Sequence, residues 1–568
     1  MGQNATTDAN GGFGLTFTCP TPGTLLLVTA SGGHLGATGT SNTAIQLASA
    51  LGACGSVPAS IVINELTSVA TAYALDGFAP AAGSAAVRFQ GSSTGLSNAF
   101  AVETKLANAA TGAFSSTGHE TNATAVQTQL DTVANAVAAC DASGSAASSA
   151  CTELFTCALA NASFTSTGMA CANGTSTAVT DGLSAALSVA QNAGLASTAG
   201  ILDVAKTVTA FTPALTTAPN DWSLAMTYAV TNFGPLAIDG VGNVWVISDT
   251  PNTGPPLTLS VVELDATGLV LSTPATGWTT GGIAQLDTTD TTNIAIDAQN
   301  NVWVGGSSPN IAEIAADGTG KPPTANGWTV SPGLSATAGV TIDSAGNAWF
   351  ADGSSGDVYE VGAAGNDLSV GGFAASVCDC TGITADAHGN VWLVGVGSAP
   401  GVAFMNSFGA QASHIEPPSP YNGHFSFEAI ATDATGNLWI TDQPGHGVWE
   451  LIPSGTSGTW SSTTIFSNNA GGGTVPKGIA IDGAGHKWIS NQNPGASSIT
   501  ELSADGATNL SPTTGLGYGS MGGAYSIAID QSGNVWVGNP GHIFEFIGAG
   551  APTRNPIVSA VTSGNFTP

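Results

Sequence analysis

Four side chains able to bind a cation or exchange a proton crowd one short stretch of this sequence: His424, Glu428, Asp442 and His446. Two imidazoles and two carboxylates could hold a divalent metal or divide general-acid and general-base roles, if loops bring them to one face. The same residues, set beside Pro and Gly, also suit ordinary solvated loops. His424, Glu428 and His446 therefore stand as catalytic candidates, with no metal assigned and no cofactor predicted beyond that optional divalent ion. A second set, Asp249, Asp352, Asp442, Asn491, Tyr525 and Asn539, falls in related loops and forms a candidate binding surface, with Lys477 and Cys380 nearby. Two other motifs carry less. Gly91-Ser92-Ser93-Thr94-Gly95 matches a nucleophile elbow, but no parallel-sheet pattern surrounds it. Gly471 to Gly478 lacks the Ser or Thr that a phosphate loop places after its Lys.

The elements that must position these residues are legible as a repeat. Leu236-Ala237-Ile238-Asp239 runs into Gly242-Asn243-Val244-Trp245-Val246, and the unit recurs at Asp297/Trp303, Asp343/Trp349, Asp386/Trp392, Asp433/Trp439, Asp482/Trp488 and Asp530/Trp536. The Asp-to-Trp spacing is six in all seven copies, which start 43 to 58 residues apart, a period typical of propellers. A small residue recurs on the first strand (Ala237, Ala295, Thr341, Thr384, Ala431, Ala480, Ala528), as a crowded central axis requires. The Trp falls on the second strand, where diverging blades leave room for a large ring. Between them a hairpin, usually Asp-x-x-Gly-Asn, lets the Asp carboxylate accept backbone N–H groups. The repeated Asp and Trp are thus expected to be structural, and His388 and His486 to be turn residues. Residues 224–230 read as a strand that closes the ring by supplying the last blade's fourth strand.

Upstream, Asn42–Leu51, Ala59–Leu75, Leu96–Ala110, Ala123–Ala139, Ser148–Ala160 and Thr177–Ala190 show helical apolar spacing. Residues 12–30 suggest two β-strands, marginal unless they pack on the helices or on another sheet. The predicted layout is a β segment over 1–35, an Ala-rich α-helical domain over 36–212, a linker over 213–223, and an all-β seven-bladed β-propeller over 224–568.

Composition narrows the partners. Seven basic residues against 37 acidic ones give a net charge of −30, which repels phosphate backbones and anionic lipid surfaces, so neither nucleic acid nor membrane insertion is expected. The eight cysteines, Cys19, Cys54, Cys140, Cys151, Cys157, Cys171, Cys378 and Cys380, are even in number and lack C-x-x-C spacing, favouring disulfides over zinc, with the pairing open. An exported protein follows, its signal peptide expected upstream of Met1 or removed.

The units Ile294-Ala295-Ile296-Asp297 to Trp303 and Ile527-Ala528-Ile529-Asp530 to Trp536 resemble NHL repeats and, equally, the repeats of virginiamycin B lyase-like propellers. Thr7-Asp8-Ala9-Asn10-Gly11-Gly12-Phe13 resembles the end of a carboxypeptidase-regulatory-like or immunoglobulin-like surface module. Together these resemblances imply a modular bacterial cell-surface protein. The lyase resemblance implies a His and a Glu with magnesium on one propeller face, but no motif here matches that set. The expected function is non-enzymatic binding of a protein or glycan, or a structural role that includes self-association through the N-terminal strands. A metal-assisted lyase or lactonase acting at the loop face is the alternative.

Overall fold

The computed structural model describes residues 4–19, 21, 23–33, 41–79, 89–116, 122–165, 170–172, 179–230, 232–249, 258–272, 278–284, 293–306, 310–317, 328–329, 334–375, 379–396, 401–409, 411–415, 426–443, 447–454, 459–467, 475–493 and 495–568. They divide into two compact units, 1–224 with 547–549, and 225–546 with 550–568.

Among its described residues the first unit holds six α-helices: α1 (Glu65–Ala74), α2 (Ser93–Leu106), α3 (Ala123–Asp141), α4 (Ser149–Cys157), α5 (Gly182–Gln191) and α6 (Thr198–Ala205). Their starts follow local chemistry. Asn64 and Asp181 form capping boxes with Thr67 and Ser184, and Ser92, Ser148 and Ser197 each accept a first-turn N–H. Ser92 and Ser93 of the elbow-like motif therefore serve as the cap and first residue of α2. Small buried residues such as Ala70, Ala134, Ala136, Ala185 and Ala186 let the helices approach closely. Residues 46–51, read above as part of the helix Asn42–Leu51, lie instead in the strand Gln46–Ala53, paired antiparallel with Leu25–Ser31. Tertiary pairing overrides the helical spacing here: the sheet gains a partner and buries Ala50 among Leu75, Phe78 and Phe100. Leu25–Ser31 accordingly has its partner within its own unit.

Three disulfides staple this unit: Cys19–Cys54, Cys140–Cys151 and Cys157–Cys171. They fit a chain that matures in an oxidising compartment. Cys380 lies in the second unit, buried at the start of the strand Cys380–Ala385. Its side chain opens an inner strand and packs inward on Trp349 and Ile383, where burial, followed by Asp352 and Asp379, pushes it up to about 12. Cys378 lies outside the described residues. No described helix is long and apolar enough to cross a membrane.

The second unit contains seven four-stranded antiparallel sheets. In each, the first strand is innermost: Asn232–Ile238, Asn293–Ile296, Thr337–Ile342, Cys380–Ala385, Phe427–Thr432, Val475–Ile481 and Ser526–Ile529. These inner strands neighbour one another in cyclic order, the seventh returning to the first, which makes a β-propeller. The ring closes as the sequence suggests, with Ala225–Tyr228 pairing with His542–Phe546 as the outermost strand of the seventh sheet. Each Trp is fully buried and packs toward the next sheet; Trp245, for example, lies among Ile294, Ile296 and Val304.

The repeat is held by more than turns. In every sheet the Trp indole N–H donates to its Asp Oδ2, at 2.9 to 3.2 Å. The Asp Oδ1 meanwhile accepts the backbone N–H groups two and four residues on, as Asp530 does from Ser532 and Asn534. The residue directly across from the Trp on the third strand is Glu in six sheets (Glu263, Glu313, Glu360, Glu450, Glu501, Glu545) and Phe404 in the fourth. The hairpin Asn reaches that Glu in several sheets, as in Asn243 to Glu263 at 2.8 Å and Asn534 to Glu545 at 2.8 Å. Where Phe replaces Glu, its ring packs on Trp392 at 4.6 Å between centroids. Each buried carboxylate thus arrives with donors already aimed at it, the condition under which burial is tolerated.

Candidate functional site

The two ends of the propeller axis are chemically different. At the hairpin end the inner strands finish at Ile238, Ile296, Ile342, Ala385, Thr432, Ile481 and Ile529, each followed by its Asp. A short helix, α7 (Ile557–Ser563), lies there. Val558 packs on Ile342 and Val340, and Phe566 packs with Ile481. Hydrogen bonds tie the segment down: Thr553 N–H to Asp530 O at 2.9 Å, Asn555 Nδ2 to Ile529 O at 2.8 Å, and Thr567 Oγ1 to Gly483 O at 3.2 Å. Above it is an axial cavity of about 220 Å³, lined by the seven small inner-strand residues, their Ile and Val neighbours, and Ile557, Val558, Val561 and Phe566. The helix stops one end of the cavity.

That docking explains a departure in sheet six. There His486 stands where the other six sheets have Asn, and Asp482, His486 and Glu501 place three ligand-type atoms within 4.8 Å of one another. His486 Nδ1 lies 2.7 Å from Glu501 Oε1 but 3.9 Å from Asp482 Oδ2. Asp482 Oδ2 instead accepts Trp488 Nε1 and the Ala551 N–H, while its Oδ1 accepts the N–H groups of Ala484 and His486. With four donors on Asp482, the trio is a closed hydrogen-bond network that anchors the C-terminal segment, and it does not fit a metal. The bond to Glu501 lifts the imidazole above its ordinary value against the opposing effect of burial. Lys487 beside it is buried over the Trp439 ring, 3.8 Å from the centroid.

At the loop face, the inner strands begin opposite the ends of the second strands: Thr337 pairs with Asp352, Phe427 with Asp442, and Pro476 with Asn491. Three of the six candidate binding residues are committed internally. Asp352 is fully buried and accepts from Ser335 N at 2.9 Å and Ser354 N at 2.8 Å, and its two oxygens share the Ser335 hydroxyl. Asp442 accepts Ser426 N and Trp449 Nε1, both at 3.2 Å, and Asn491 donates to Thr500 Oγ1 at 2.8 Å. Glu428 and Lys477 form an ion pair at 2.9 Å with both side chains about four-fifths covered. Glu428 and Asp442, two members of the four-residue candidate group, therefore face different partners, and His424 and His446 lie outside the described residues. The magnesium that the lyase resemblance implies finds no matching donor set among the described residues. Asp249 ends the strand Val244–Asp249 opposite Leu259. Tyr525 is 40% exposed, its hydroxyl bonded to Gln492 Nε2, while Asn539 is buried at the end of Val535–Asn539.

No family model matches this chain, and no curated protein matches it. Solved structures do. A streptogramin B lyase structure is 14% identical, covering 57% of this chain and 95% of that one, with a TM-score of 0.43. A virginiamycin B lyase from Staphylococcus aureus is 16% identical, covering 56% and 98%, with a TM-score of 0.43. An extracellular domain of a one-component system from B. thetaiotaomicron is 13% identical, covering 56% and 38%, with a TM-score of 0.38. At scores this low the likenesses carry no argument of their own. The propeller rests on its strand order.

Proposed function

We propose that this chain is an exported bacterial surface protein whose seven-bladed propeller, built from NHL-type repeats, binds a protein or glycan ligand at its loop face without transforming it. The observation that carries this reading is the commitment of the face's described carboxylates. Asp352 and Asp442 are saturated by N–H and hydroxyl donors, and Glu428 is neutralised by Lys477. A general acid or base needs a proton-accepting atom free to meet the substrate, and these carboxylates are turned into the scaffold instead. What the face offers a ligand is a set of neutral hydrogen-bonding groups and an exposed tyrosine around the mouth of a stoppered, apolar cavity. The three disulfides support export.

The test follows ligands and products in the same samples. Purified protein is incubated with neutral polysaccharides, cyclic esters and streptogramin-type depsipeptides, with and without magnesium, and each compound is followed by NMR. Unchanged compounds are the expected result. Turnover that disappears in Glu428→Gln would replace the binding reading with the lyase or lactonase one.

A further inference from the structure

Comparing the repeats isolates one polar group that the fold does not serve. Three positions beyond the Trp, at the loop-face end of the second strand, four sheets carry an Asp or Asn: Asp352, Asp442, Asn491 and Asn539 in sheets three, five, six and seven. The first three are hydrogen-bonded as described. Asn539 is 4% exposed, and its Oδ1 is buried with no partner. Leaving a buried amide oxygen unpaired costs about 1–3 kcal/mol, so a position that pairs it in the equivalent sheets and leaves it open here calls for a partner from outside the chain.

The surroundings say what kind. Gly522 is exposed, and a Cβ there would meet only Asn539 Nδ2, at 3.7 Å; a Cβ on Gly523 would strike Tyr525 Cε2 at 2.9 Å. Two residues without side chains thus keep the space beside the buried amide and the half-exposed tyrosine ring clear of Cβ atoms. The ring is held in place through its hydroxyl by Gln492 and offers a flat apolar surface. An amide acceptor and donor next to an exposed aromatic face suit a sugar, whose hydroxyls pair with the amide while its C–H face stacks on the ring. The net charge of −30 disfavours acidic polymers.

We propose that Asn539 and Tyr525, kept open by Gly522 and Gly523, form a subsite for a neutral carbohydrate at the loop face of the seventh sheet. This rests on the binding reading above and assigns its ligand class.

Affinity electrophoresis of the full chain through gels containing laminarin, arabinoxylan, galactomannan or polygalacturonate tests it. At least one neutral polymer should retard the wild type, and polygalacturonate should not. Asn539→Ala and Tyr525→Ala should each weaken retardation about tenfold, the loss of one hydrogen bond or one stacked ring. Tyr525→Phe, which keeps the ring, should stay within about threefold. Tyr518→Ala, removing another exposed tyrosine, should change nothing; melting curves confirm that each variant is folded. Retention by none of the neutral polymers overturns the subsite. So does retention insensitive to Asn539→Ala, which would mean that the amide holds only a water. Preference for a peptide ligand through the same residues would also overturn it. In these outcomes the non-enzymatic reading survives, because only turnover removes that.

Discussion

The two units bury carboxylates in opposite ways. In the propeller each repeated Asp enters the core with its acceptors filled, as Asp530 is by two backbone N–H groups, Asn534 Nδ2 and Trp536 Nε1. In the helical unit Asp141 and Glu103 are buried with both carboxylate oxygens unpartnered. Asp141 is the last residue of α3, where unpaired helix carbonyls already make the potential negative. Burial first, then Glu65 and Asp181, push its carboxyl up to about 8, whereas Asp530, buried but well supplied with donors, is pushed only to about 6. Repetition lets one solved polar arrangement be copied seven times. The helical unit, without that template, relies on disulfides and lets burial push the carboxyls of Glu103 and Asp141 well above their ordinary range.

Three substitutions probe this difference. Asp530→Ala strands four donors at once and should cost the propeller about 3 kcal/mol or more in urea unfolding, leaving the helical unit unchanged. A loss below about 1 kcal/mol would mean that the network contributes little. For Asp141 the sign runs the other way. Its folded carboxyl titrates near 8 against an ordinary 3.8, so its contribution is fully present below about pH 4 and is lost as pH rises through 8. Asp141→Asn should therefore stabilise the helical unit by about 2 kcal/mol at pH 9 and by almost nothing at pH 4, read from calorimetric melts at the two values. The smallest effect belongs to His486→Asn, which restores the residue of the other six sheets. Stability should match the wild type within about 0.5 kcal/mol at pH 8. Because the imidazole is raised in the fold, the wild type should gain a small advantage below about pH 6 that is lost as pH rises through the His486 titration.

The architecture was legible because its signal is local and repeated: an Asp six residues before a Trp defines a hairpin wherever it occurs. The cross-strand Glu was visible in sequence only as an acidic-aliphatic pair. Its bond to the hairpin Asn depends on the register of a third strand, 11 to 20 residues away in the four pairs that show it. Gln46–Ala53 was misread because small residues satisfy helical and strand spacing alike, and only the partner at Leu25–Ser31 decides between them. At the loop face, residue type identified Asp352 and Asp442 but not their commitment, since Ser335 and Ser426 lie 17 and 16 residues upstream. Asn539 was marked as one loop amide among several. What sets it apart is a missing bond, and a missing bond leaves no trace in sequence.

The helix Ile557–Ser563 turns the propeller axis from a pipe into a cup. A ligand group that enters the cavity must leave by the mouth it came through. Its arrival and its escape then share one path, so a substitution that narrows that path should slow both rates together and leave the equilibrium affinity almost untouched.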